Sequence, residues 1–155
     1  MAQGTLTVFN DFTVSLGEKK INLETDTIKL ALTDDTVTPT VGAASPQWGA
    51  GSDEDYDGNE VSAAGGYTAG GFTLSGPELV LAGAVATFDD DDSDLSLAKD
   101  AANGFEDAYW GILYSDTATN KECIAFIDLD GPVSEKAGPV AINFNASGIL
   151  TITRS

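Results

Sequence analysis

Apolar residues in this chain recur at every second position, in short runs that Gly, Pro, Asn or Asp soon cut off. A period of two is the signature of a half-buried strand, and close-set turn residues leave little room for long helices. Ile28, Leu30 and Leu32 alternate with Lys29, Ala31 and Thr33, which predicts a strand. Residues 78–88, carrying Leu79, Leu81, Val85 and Phe88, predict a strand, a bend at Gly83 and a second strand. Residues 108–114 are apolar on both faces, with Trp110, Ile112 and Tyr114 on one and Tyr109 and Leu113 on the other, so they predict a central strand. A further apolar strand is expected over 123–129, closed by the turn Asp130–Gly131–Pro132. Val140, Ile142 and Phe144, followed by Ser147–Gly148 and residues 149–153, predict a C-terminal hairpin. Residues 5–16 read both ways, since Leu6 and Val8 suit a strand while Val8, Phe9, Phe12 and Leu16 fall at helical spacing before Gly17, and a short helix is the favoured expectation. The pattern implies an all-β fold: an antiparallel sandwich or jelly-roll-like single domain over residues 1–155, with one short N-terminal helix.

Two stretches stand apart from this rhythm. Residues 60–76, EVSAAGGYTAGGFTLSG, bracket Tyr67 between the pairs Gly65–Gly66 and Gly70–Gly71. Paired glycines permit tight turns and close backbone approach, so the segment reads as a fixed turn that presents one aromatic ring. Residues 34–59 contain Pro39, Pro46 and a dense cluster of acids, and are expected to form a long acidic loop. Loops of this length in a compact domain usually bind something or pack on a neighbour. Trp48 within it either folds back as a plug on the core or anchors in another chain; Trp48, Tyr56 and Tyr67 are the candidate partner-contact residues.

Charge narrows the partners. The net charge is −18, from 25 acids against 7 bases, which repels phosphate backbones and anionic lipid. Nucleic acid and membrane are therefore not expected as partners, and the longest near-apolar run, 79–88, is too short for a spanning helix. The N-terminus lacks the basic start and apolar core of an export signal. A saline habitat or plain solubility would account for the acidity equally well.

The chain has no histidine, and its single cysteine, Cys123, lies in an apolar run. Ser-His and Cys-His couples and imidazole metal ligands are thus excluded, and Cys123 reads as a small buried hydrophobe. No nucleophile elbow, P-loop or dinucleotide fingerprint occurs, so the expectation is a protein without catalytic activity. One chemical motif remains. Residues 53–58, DEDYDG, have the spacing of a calcium loop, with Asp53, Asp55, Asp57 and the Asn59 carbonyl as candidate ligands for Ca²⁺. The twelfth position, which should carry a bidentate Glu, is Ala64, so a solvated acidic loop tip is the competing reading.

Residues 60–76 together with 23–35 (LETDTIKLALTDD), 108–116 (AYWGILYSD), 123–128 and 148–151 resemble a family of small virion structural proteins of tailed bacteriophages. The resemblance lies in strands and turns and carries no chemical signature; residues 45–59 depart from it. It implies a capsid decoration or cement protein on the outer surface of the virion. Such a protein binds the major capsid protein lattice and stabilises the head as a homo-oligomer, a trimer being one form. The alternatives are a tail-associated fibre, tip or receptor-binding component, and a Ca²⁺-dependent carbohydrate-binding module using Trp48 and Tyr56.

Overall fold

The structure, a computed structural model, describes residues 4–49, 54–91 and 95–154. Strand accounts for 38% and helix for 7%, which makes the protein all-β and sandwich-like, as the alternation predicts. In chain order the first elements are β1 (Leu6–Val8), α1 (Asp11–Gly17), β2 (Ile28–Thr33), β3 (Pro46–Gln47), β4 (Glu54–Asp55) and β5 (Phe72–Thr73). The remainder are β6 (Glu78–Ala82), β7 (Val85–Asp89), β8 (Leu95–Leu97), β9 (Ala108–Ser115), β10 (Cys123–Val133), β11 (Val140–Ile142) and β12 (Leu150–Thr153).

The principal sheet has the order β1-β10-β9-β2-β5, all neighbours antiparallel, and β9 is its middle strand. Side chains alternate across it. One face carries Ile28, Leu30, Leu32 and Leu113 into a core shared with Phe88, Leu95, Val140, Ile142 and Leu150 of the smaller sheets β12-β7-β6 and β11-β8. The opposite face carries Ala31, Ile112, Tyr114 and Cys123 into a second core with Phe9, Ala43, Trp48 and Tyr56. A sheet covered on both faces explains why 108–114 is apolar on both sides.

That second cover is the segment 34–59. Its ends meet: Thr33 bridges Glu60, the Asp34 amide donates to the Asn59 carbonyl (2.9 Å), and the Val61 amide to Leu32 (3.0 Å). The described residues of this segment form a compact excursion, stitched down where the Asn10 amide donates to Val41 (2.9 Å) and the Trp48 amide to Lys121 (2.9 Å).

Residues 5–16 take both of the forms their spacing allows: the expected short helix is α1, and before it Leu6 and Val8 pair with Ile127 and Ala125 in the edge strand β1. Two local expectations are corrected. The strand from Cys123 does not close at Asp130–Gly131–Pro132; it continues through a register shift to Val133, which pairs with Ala108. No C-terminal hairpin forms either: β11 pairs with β8 and β12 with β7. Those pairings bury Val140, Ile142 and Leu150 in the common core, which an isolated hairpin could not do.

Candidate functional site

The long excursion and the glycine-paired segment 60–76, singled out by the sequence, adjoin each other on the principal sheet. β5 pairs with β2 only at Lys29 and Leu30, so Leu32 lies beyond the last ladder partner on that side. The Tyr67 hydroxyl takes that place: it accepts a hydrogen bond from the Leu32 amide (2.9 Å) and donates to Glu60 Oε1 (2.7 Å). The same Glu60 oxygen accepts from the Gly70 amide (2.6 Å), and the Tyr114 hydroxyl donates to the Gly70 carbonyl (2.7 Å). The Tyr67 side chain thus serves the Leu32 amide as a strand would, while the Leu32 carbonyl takes the Val61 amide. Gly71, at φ 84°, passes so close that a Cβ would run into the Leu30 carbonyl and the Ala31 Cα. Only glycine fits that position.

Burial, and then the hydrogen bond to Glu60, pushes the Tyr67 phenol far above its ordinary range. Burial raises Tyr114 as well, assisted by the charges of Asp116 and Glu60. Asp116 lies between Lys29 (2.9 Å) and Lys121 (3.1 Å), and their hydrogen bonds hold its carboxyl below the usual carboxylate range. Burial, reinforced by Asp55 and Glu122, lifts the Cys123 thiol well above its normal value, so it carries no thiolate near neutrality.

The three candidate contact rings are interior. Trp48 is 3% exposed, Tyr56 0% and Tyr67 2%. Trp48 stacks on Tyr114 with ring centroids 5.0 Å apart and planes 16° apart, and Tyr56 packs against Phe9. Trp48 is therefore the plug on the core and not a surface anchor, and none of the three rings offers a face to a partner or a sugar. The physical reason is the two-sided sheet: the face bearing Tyr114 needs a cover, and the excursion supplies it.

The candidate calcium ligands divide. Asp53 lies outside the described residues. Asp55 Oδ1 accepts from the Gly49 amide (2.7 Å) and the Asp57 amide (3.3 Å), so it holds its own loop. The Asn59 carbonyl takes the Asp34 amide, and Asp57–Asn59 form one turn of 3-10 helix. Among the described residues no group of three or more acidic or cysteine side chains converges as a metal site.

Sequence reasoning missed Glu135. The residue is 2% exposed; Oε1 accepts from the Gly66 amide (3.0 Å), and Oε2 is buried with no hydrogen-bond partner among the described residues. It ties the first glycine pair to the loop after β10, where the Glu135 amide donates to Phe105 (3.0 Å). Among 25 acids nothing marks one as buried except its place two residues after the apolar Val133. Next to it Ser62, Asn103, Asp107 and Lys136 line a shallow polar depression of about 480 Å³.

No family model matches this chain, and no curated protein or solved structure matches it.

Proposed function

We propose that this protein is a structural component of a tailed-phage particle, a capsid decoration or cement protein that binds the outer face of the major capsid protein lattice. The observation that carries the reading is how the polar and aromatic groups are used. Trp48, stacked on Tyr114, locks the two-faced sheet to its cover, and Glu60, Tyr67 and Tyr114 tie segment 60–76 to the same sheet, so all four act on the protein's own rigidity. The groups best suited to chemistry are internal, and the exterior is acidic. An acidic exterior suits a position outside a DNA-filled shell, and a rigid body suits a part that stabilises by adding contact area. The phage setting rests on the likeness of residues 60–76, 23–35 and 108–116 to small virion proteins.

Copy number per particle tests this. Quantitative gel analysis of purified virions should give hundreds of copies, in proportion to the major capsid protein. A dozen copies or fewer would transfer the protein to the tail, and its absence from virions would end the proposal.

A further inference from the structure

The sheet β12-β7-β6 projects an apolar surface that the fold leaves open. Among the described residues β6 has no strand on its outer side, and Leu81 is 73% exposed, Val80 50% and Ile152 38%. Register explains this. Leu79, Phe88 and Leu150 lie side by side and enter the core, whereas the next row outward, Leu81, Ala86 and Ile152, lies past the core's edge. From Leu79 to Phe88 no residue is ionisable, in a chain of net charge −18. An apolar, uncharged edge strand is the kind of surface proteins otherwise cover or protect with charge.

We propose that β6 is the contact for a second copy of this chain, pairing antiparallel with the β6 of its partner about a two-fold axis. Charge placement selects this occupant. Two chains of −18 approach most easily through a face free of carboxylates, and the hairpin from Leu79 to Phe88 is such a face. Glu78 begins β6, with Asp89 paired beside it, so the base of the hairpin is acidic. The tip is the opposite end, where the amide of Arg154, the chain's sole arginine, donates to the Ala84 carbonyl (2.9 Å). Antiparallel pairing centred on Val80 sets Glu78 of each copy against Ala82 of the other. Each acidic base then lies toward the other copy's arginine-bearing tip, and the two Glu78 side chains stand about 13 Å apart along the strands. Parallel pairing would bring the two bases together. The contact forms one sheet of six strands and covers Val80 and Leu81 of both copies.

This goes beyond the particle reading and is tested on the purified chain alone, so either can fail without the other. Light scattering after size exclusion should give a two-chain mass. Leu81→Lys should give one chain with an unchanged circular-dichroism spectrum, and Val80→Lys carries the same expectation if Leu81→Lys fails to fold. Ile152→Lys, on the other edge of the sheet, should remain a dimer. Under oxidation Val80→Cys should cross-link to itself, and Ala82→Cys should not. A monomeric parent chain, a dimer indifferent to lysine on β6, or one lost on Ile152→Lys and kept on Leu81→Lys would overturn the proposal.

Discussion

Tyr67 does at one position what a strand would otherwise do, and its energetics follow from that. Its hydroxyl serves the Leu32 amide and Glu60 at once, so Tyr67→Phe leaves a buried donor unsatisfied and removes a partner from a carboxylate. The expected loss is about 1–3 kcal/mol, read from the urea midpoint. The same burial sets a pH dependence. Tyr67 and Tyr114 hold their protons in the folded state to higher pH than in the unfolded chain, where tyrosine ionises near pH 10. Above that value the unfolded chain binds fewer protons than the folded one, so stability, fully present at neutral pH, falls as pH rises. Denaturation followed between pH 8 and 11 should show that decline, and Tyr67→Phe should make it shallower; an unchanged slope would contradict the assignment. At Gly71 the left-handed backbone adds about 1–3 kcal/mol of strain for any other residue, before the collision with Leu30. Gly71→Ala should therefore melt well below the parent. None of these partnerships was legible in the sequence. The glycine pairs announced a close approach, but what they approach is set by a strand some 40 residues earlier. Glu135 carried no mark among so many exposed acids.

Elements whose pattern is local were legible, and those fixed by distant pairing were not. β2 and β9 follow directly from alternation, and the two-sided apolar character of β9 foretold its central place. The hairpin β6–β7 with its turn at Gly83 also follows, since that turn adopts φ 65°. The partners of β11 and β12 did not, because alternation says which face a strand buries and not against which strand. The excursion 34–59 was legible as a long acidic segment with a tryptophan; its role as the second lid of the sheet required knowing that Tyr114 faces away from the main core. Trp48→Ala should open that lid. Large-to-small changes at such sites cost about 3–5 kcal/mol, which for a domain of this size lowers the melting temperature on the order of ten degrees. A shift of only a degree or two would mean that the excursion does not cover the sheet.

For the whole molecule the dominating quantity is a net charge of −18 on 155 residues. Self-repulsion opposes both compaction and the approach of a second copy. Its reach is about 30 Å at 10 mM salt and about 8 Å at 150 mM. Added salt should therefore raise the melting temperature, in contrast to a fold held by surface ion pairs, which salt would weaken; a fall across that range would contradict this balance. The same charge directs contact toward surfaces that lack acids or carry bases, which is what a decorating protein needs if it is to sit on a shell without binding the DNA inside. The claim that unites these scales is that the chain acts by shape and contact. A reconstruction of the particle by electron cryomicroscopy tests it most directly. The account predicts density fitting this sandwich on the outer shell, spanning joints between major capsid proteins and repeated over the lattice; a shell without it, or density confined to the tail, would contradict the account.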